Sequence, residues 1–340
     1  MAREAGVSKT AVSFAFNSPD RLSPETAERI RTVADALGYQ PHPVARMLAK
    51  QRTYTLGVLT PQDLAVVLEN PFFSMFGAGA ALAAGRASYS LQLISPIHGS
   101  LARAVARATI DGVVVLGLSA GHPEVEQIHQ ADLPMVLVDS SALPDHSSVT
   151  VDDEGGARAA ARHLLELGHR EFLIIAIEPP ESSGPPDPDG VVGHRLRGYR
   201  SALEAAGISL PDKAVIVAPA TVDGGRAAVT RAWEDGLRPT AVLAMSDVMA
   251  IGALEAARDL QIDVPRMMSI VGFDDIEFSA YTSPPLTTVY QPVRRKGEVA
   301  VEMLVAEIED EASDGPEHTC LEARLIPRAS TGPAPRSTWR

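Results

Sequence analysis

The sequence predicts an α/β fold in which a small all-α headpiece precedes a body built on parallel sheets. Residues 6–17 carry a glycine turn followed by an amphipathic segment, a pattern typical of the turn and second helix of a helix-turn-helix. Short apolar runs, separated by stretches of helical periodicity, recur between residues 56 and 273. Such runs are typical of parallel strands that helices cover on both faces.

The helix-turn-helix pattern separates a core face from a polar face. Gly6 can adopt the positive φ that a sharp turn requires, and Ser8 is placed to cap the helix that follows. Val12 and Phe16 fall on one face of that helix. The opposite face carries the side chains that we expect to reach a DNA major groove, namely Lys9, Thr10 and Ser13. On these residues alone, a short surface helix after a glycine turn remains an alternative.

Another helix is predicted to start at Ser23, because a capping serine is followed by proline and then by Glu25. Gly38 is expected to end it as a left-handed cap. Its apolar face is predicted to consist of Ala27, Ile30, Ala34 and Leu37. Residues 1–5 supply barely more than one helical turn, too little to support the recognition helix well.

The segment after the headpiece predicts a hinge. Pro41 and Pro43 force an extended stretch, and residues 44–50 then form a helix-capable piece that is too short to be stable in water. Such a piece can fold on its twin in a dimer and on a DNA minor groove. A flexible tether without contacts is the alternative.

Taken together, residues 5–48 resemble the headpiece and hinge of LacI/GalR-type repressors. The resemblance implies a dimeric, ligand-responsive transcription regulator, with DNA contacts from Ser8, Lys9, Thr10, Ser13, Arg21, Ala45 and Leu48. Two features depart from the family. Phe14 stands where arginine is usual, and the family pattern begins seven or eight residues earlier, so we expect the native start to lie upstream of Met1.

Polar residues follow the predicted strands of the body. The apolar runs are residues 56–59, 112–116, 135–138, 172–177, 215–217, 241–245 and 269–273. Asp139, Asp247 and Asp274 come directly after such runs or within two residues of them, and ligands of parallel sheets bind at the carboxyl ends of strands. A strand-end acid can also be a helix cap, and for Asp247 both roles stay open.

The body is similar to periplasmic sugar-binding proteins, which implies two subdomains with a cleft between them. By this resemblance, the effector-binding residues are Phe72, Phe73, Asp139, Arg195, Asp247 and Asp274. An arginine opposite acids with an aromatic floor suits a sugar or a nucleoside-like ligand. Residues 218–223 lack the aromatic that the family often places there, so the ligand need not be flat. Residues 178–190, with five prolines, are predicted to be a surface loop.

The predicted organisation is a DNA-binding headpiece at residues 1–40, a hinge at 41–53, an effector-binding and dimerisation domain at 54–330 and a tail at 331–340. Charge follows this division, because residues 1–52 hold eight Lys or Arg against five Asp or Glu, whereas the whole chain has a net charge of −13. A basic leading module suits contact with phosphates. The expected partners are therefore operator DNA, a small polar effector and a second copy of the chain.

Other protein classes fit less well. Cys320 is the only cysteine, so an internal disulfide and a cysteine metal cluster are excluded, and a reducing cytoplasm is expected. The glycines at 77 and 79 lack the third glycine of a dinucleotide fingerprint, and we find no P-loop, nucleophile elbow or other cofactor motif. We therefore expect neither an enzyme nor a cofactor. A solute-binding protein, the nearest alternative, would need an export signal and has no use for residues 1–52. No apolar run approaches the roughly 20 residues of a membrane helix.

Overall fold

The computed structural model describes residues 1–17, 19–39, 52–119, 121–140, 143–179, 188–309 and 315–336. The chain divides into two compact units, Met1–Tyr54 and Thr55–Arg340. The proposed hinge contacts of Ala45 and Leu48 lie outside the described residues.

The first unit forms the predicted turn and helices. Helix α1 is Lys9–Asn17, a 3₁₀ turn covers Pro19–Arg21, and α2 is Pro24–Ala36. Gly6 has a φ of 65°, and the Ser8 hydroxyl accepts a hydrogen bond of 3.1 Å from the Ala11 N–H, so both the turn and the cap are confirmed. Residues 2–7 form turns and a bend before α1.

A small core joins these helices. Ala5, Ala15 and Ile30 are buried together, and Ile30 has no exposed surface. The prediction that Leu37 shares the buried face of α2 is wrong, because this side chain is 50% exposed. The helix ends at Ala36, and Gly38 then turns the chain with a φ of 58°, as predicted for a left-handed cap.

The second unit contains two six-stranded sheets. The strands are β1 Thr55–Leu59, β2 Ser90–Ile94, β3 Gly112–Leu116, β4 Met135–Val138, β5 Ser148–Val151, β6 Phe172–Ile177, β7 Val215–Ala218, β8 Ala241–Ala244, β9 Ser269–Asp274, β10 Thr287–Tyr290, β11 His318–Leu321 and β12 Arg324–Ile326. Their order is β11-β5-β4-β3-β1-β2 in one sheet and β12-β10-β9-β8-β6-β7 in the other. All pairs are parallel except β10 with β12. The predicted parallel α/β body is therefore confirmed.

Helices cover both sheets. They are α3 Leu64–Glu69, α4 Pro71–Arg86, α5 Leu101–Arg107, α6 Pro123–His129, α7 Asp153–Glu166, α8 Val191–Ala205, α9 Val222–Glu234, α10 Asp247–Asp259 and α11 Val293–Ile308. The chain leaves the first sheet after β5, and α7 packs against α8 on the second sheet. After β10 it returns through α11, which packs against α4 and β4, and it crosses once more between β11 and β12.

Two glycines allow α11 to lie very close to α4. A Cβ atom at Gly79 would stand 1.9 Å from the Arg294 carbonyl oxygen, and one at Gly297 would stand 2.3 Å from the Phe76 carbonyl oxygen. Backbones at such short distances leave no space for any side chain. Gly79 therefore serves helix packing, and it lies inside α4 rather than in a phosphate-binding turn.

Candidate functional site

A cavity of about 960 Å³ lies at the carboxyl ends of strands from both sheets. Asp139 directly follows β4, Ser246 follows β8, and Asp274 ends β9, and all three line the cavity. The carboxyl ends of parallel strands collect the N-termini of the following helices, which is where such folds bind ligands. The two sheets thus contribute facing walls to one site.

Five of the six predicted effector-binding residues line this cavity. They are Phe72, Phe73, Asp139, Arg195 and Asp274. The two phenylalanine rings are perpendicular, with centroids 5.4 Å apart, at the start of α4. Pro219, Ala220 and Thr221 line the cavity in the segment where the sequence lacks the aromatic residue of the family pattern.

Arg195 is held rigidly by α7 and the second sheet. Its Nε donates to Asp153 Oδ1 at 2.8 Å, its Nη1 donates to the Met245 carbonyl, and its Nη2 lies 3.8 Å from Asp274 Oδ1. The guanidinium also stacks 3.6 Å from the centroid of the Phe273 ring. The sequence analysis did not select Asp153, although this acid lies two residues after the end of β5.

A relay of hydrogen bonds joins the acids of the two sheets. Lys296 Nζ donates to both carboxylate oxygens of Asp139, at 2.6 and 2.8 Å, and to Gln291 Oε1 at 2.7 Å. Gln291 Nε2 then donates to Asp274 Oδ1 at 2.6 Å. Lys296 is 1% exposed. No sequence pattern indicated this role for Lys296, because a lysine in an amphipathic helix is normally on the solvent side.

Burial dominates the electrostatics of the cavity acids. Desolvation raises the pKa of Asp139, against the opposing charge of Lys296. It also raises the pKa of Asp274, and the nearby Arg195 opposes that rise. Both residues have unusual backbone angles, with a φ of 55° at Asp139 and 120° at Asp274. Strained residues of this kind concentrate at functional sites, where the surrounding structure holds them in place.

Asp247 is placed differently from the other predicted residues, because it does not line the cavity. It has no exposed surface, and Oδ2 accepts hydrogen bonds from the Ile276 N–H at 2.9 Å and the Ser279 hydroxyl at 2.5 Å. Oδ1 accepts from the Thr288 hydroxyl. Both oxygens therefore secure the segment after β9 and the neighbouring strand β10. We leave Asp247 out of the effector site for this reason.

In the first unit, the described side chains that are proposed to contact DNA are exposed. Lys9, Thr10 and Ser13 are exposed on α1, in contrast to buried Val12 and Ala15. Arg21 is exposed on the following 3₁₀ turn, and its guanidinium lies 5.4 Å from the Phe14 ring. Phe14 thus supports a neighbouring cation at the position where the sequence departs from the family pattern.

Known proteins resemble both units of this chain. Residues 1–42 match the family described as bacterial regulatory proteins of the lacI family, and residues 161–331 match the periplasmic binding protein-like domain. The HTH-type transcriptional regulator CelR of Thermobifida fusca is 32% identical over 333 residues, which cover 96% of this chain and 95% of CelR. The chain belongs to the LacI family. It is therefore a DNA-binding transcription regulator and not an enzyme.

Solved structures of LacI-family proteins resemble the whole chain. A CelR–cellobiose complex is 30% identical with a TM-score of 0.73, over 97% of this chain and 98% of the other. A lac repressor dimer bound to operator and the anti-inducer ONPF is 25% identical with a TM-score of 0.79, over 97% of each chain. Within the described ranges, no helix is long and apolar enough to cross a lipid bilayer.

Proposed function

We propose that this LacI-family regulator is a cytoplasmic repressor that binds a pseudo-palindromic operator as a homodimer and responds to a small polar effector in the cavity between its two sheets. The observation that carries the effector site is the convergence of Asp139, Arg195 and Asp274, from distant parts of the chain, on one cavity. Buried charged groups are costly unless they are paired and hydrogen-bonded, and clusters of them in a cleft are typical of functional sites.

A sugar or nucleoside suits this arrangement. Arg195 offers hydrogen-bond donors, and the carboxylates of Asp139 and Asp274 offer acceptors, so a ring with several hydroxyl groups can bond to both. Phe72 and Phe73 supply apolar surface for the carbon face of such a ring. The similar CelR structure holds cellobiose, which supports a ligand of this class.

The DNA-binding face consists of Lys9, Thr10, Ser13 and Arg21, with Ser8 at the cap of the recognition helix and Ala45 and Leu48 from the hinge. Two copies of this face, related by two-fold symmetry, would read two half-sites of an operator. The similar lac repressor structure is a dimer on operator DNA, which supports this assembly.

Effector and operator are coupled through the body. A ligand that bonds to Asp139 on one sheet and to Arg195 and Asp274 on the other favours one relative position of the two sheets. If that position changes the operator affinity, the operator must change the effector affinity by the same factor, typically about 5- to 150-fold.

The test measures effector binding and the effector response of operator binding on the full chain. A thermal-shift screen of sugars and nucleosides identifies a ligand, and calorimetry then compares the wild type with Asp274→Asn and with the exposed control Asp259→Asn. We expect Asp274→Asn to lose the effector response and the control to keep it. An effector that binds both variants equally would disprove the proposed site.

A further inference from the structure

The cavity offers little uncompensated positive charge. Among the described residues that line it, Arg195 is the single Lys or Arg. Its charge is matched by Asp153 at 2.8 Å and by Asp274 at 3.8 Å. Two further acids, Asp63 and Glu178, are exposed on the described lining. An anionic ligand would therefore meet more negative than positive charge.

Lys296 does not change this balance. It is almost fully buried behind the cavity, and its ammonium group already donates to Asp139 Oδ1, Asp139 Oδ2 and Gln291 Oε1. An ammonium has three N–H groups, so all of them are in use. Its charge is compensated by Asp139, and no donor is left for a ligand phosphate.

The hydrogen-bonding groups of the cavity also favour an uncharged ligand over an anionic one. A carboxylate only accepts hydrogen bonds, so Asp139 and Asp274 favour a ligand that donates. Hydroxyl groups donate to these acids and also accept from Arg195, whereas phosphate and carboxylate groups are acceptors when ionised. Asp274 Oδ1 accepts from Gln291 Nε2 at 2.6 Å, and the Asp274 side chain also lines the cavity.

Helix N-termini attract anions, so the N-termini at the cavity would favour an anionic ligand if their N–H groups were free. Here three of these N-termini each have one N–H group occupied by a capping side chain. Asn70 caps the Phe72 N–H at 3.0 Å, Thr221 caps the Gly224 N–H at 3.0 Å, and Ser246 caps the Met249 N–H at 3.4 Å. Helix α8 has no side-chain cap at Gly190, but the acid Asp189 directly precedes it.

We propose that the cavity selects an uncharged, hydroxyl-rich ligand and rejects its phosphorylated or carboxylated form. This inference rests on the proposed function, in which the cavity holds the effector. It separates free sugars or nucleosides from sugar phosphates and nucleotides.

Matched pairs of ligands test the selection on the full chain by calorimetry. The pairs are glucose with glucose 6-phosphate, ribose with ribose 5-phosphate, cellobiose with cellobionate and adenosine with its monophosphate, and glucosamine adds a cationic probe. We expect an uncharged member to bind and its anionic partner to bind at least about 100-fold more weakly. An anionic or cationic member that binds equally well or better overturns the inference.

The same panel separates this inference from the proposed function. If no uncharged member binds, the inference fails, and if no member of any charge binds or alters operator affinity, the proposed function fails with it.

The variants Asp63→Asn and Glu178→Gln should reduce the discrimination against the anionic partner several-fold. The control Glu234→Gln is exposed at the far end of α9 from the cavity and should leave the discrimination unchanged. Unchanged discrimination in both lining variants would contradict the charge argument.

Discussion

The ammonium of Lys296 lies within 2.8 Å of both carboxylate oxygens of Asp139, a residue that precedes it by 157 positions in the chain. The side chains are 1% and 7% exposed. Helix α11 brings Lys296 back to the first sheet after the chain has built most of the second. The pair therefore connects the returning helix to the end of β4, next to the cavity.

Breaking this pair should destabilise the protein strongly. Lys296→Met leaves the carboxylate of Asp139 buried without its partner, and we expect the free energy of unfolding to fall by about 3–5 kcal/mol. Urea denaturation of the purified chain measures the change. The matched control is Arg86→Met, because Arg86 and Glu302 form a 2.9 Å ion pair that is 53% and 43% exposed. Exposed pairs contribute about 0–1 kcal/mol, so equal losses in the two variants would contradict our assignment.

Continuous apolar runs predicted seven of the strands and missed those in which polar residues interrupt or shorten the run, namely β2, β5, β10, β11 and β12. Every residue of β3 and β4 is buried, and their apolar runs were recognised. β2 contains Ser90 and Gln92 and is largely exposed, and β11 contains His318 and Thr319, so neither has a continuous apolar run. An edge strand faces solvent and therefore loses the signal that identifies a central strand.

The site was predictable to the extent that it follows from strand ends and from the family pattern. The partners of its charged groups were not, because Asp153 with Arg195 and Lys296 with Asp139 are pairings over long sequence distances. Asp247 comes two residues after an apolar run, and its position outside the cavity lining, together with hydrogen bonds from Ile276 and Ser279, distinguishes a supporting role from a ligand contact.

Asp247 should make stability depend on pH. Burial raises its pKa to about 8, and the neighbouring charge of Asp274 adds to the rise, whereas hydrogen bonds from Ser279 and Thr288 oppose it. The Asp247 carboxyl group thus binds its proton more tightly in the folded state than in the unfolded state, where its pKa is about 3.9. Its contribution to stability is complete below pH 4 and is lost as the pH rises to about 8.

Asp247→Asn provides the reference, because the amide does not titrate and keeps the shape of the side chain. We expect the unfolding free energy of the wild type minus that of Asp247→Asn to decrease between pH 5 and pH 8, with a slope of at most about 1.4 kcal/mol per pH unit. Urea denaturation at four pH values measures it. A difference that stays constant or increases over this range would show that the pKa is not raised.

Lys9 should contribute affinity through a phosphate or a base edge. It is exposed at the start of α1, and we expect Lys9→Ala to weaken operator binding and to reduce the slope of log affinity against log salt by about 1 if the contact is to phosphate. Fluorescence anisotropy between 50 and 200 mM salt measures the slope. The control Lys213→Ala removes an exposed lysine from the second unit and should change neither quantity. Similar losses in both variants would indicate a general charge effect.

The close packing of α4 on α11 should tolerate no methyl group at Gly79. A Cβ atom there would lie 1.9 Å from the Arg294 carbonyl oxygen, which is backbone and cannot move alone, so Gly79→Ala forces the two helices apart. Overpacking of this kind costs about 1–3 kcal/mol, and we expect a loss at the upper end. The control is Gly85→Ala in the same helix, where a Cβ atom has no neighbour within 4 Å. Alanine at that exposed position should stabilise the helix by about 0.5–1 kcal/mol.

Because Lys296 directly precedes Gly297 in this contact, Gly79→Ala should also displace the Lys296 ammonium from Asp139 and weaken effector binding. The Gly85→Ala variant should leave effector binding intact. Thermal unfolding and calorimetry on both variants provide the comparison, and a stable Gly79→Ala protein with normal effector affinity would mean that the two helices are not packed as closely as described.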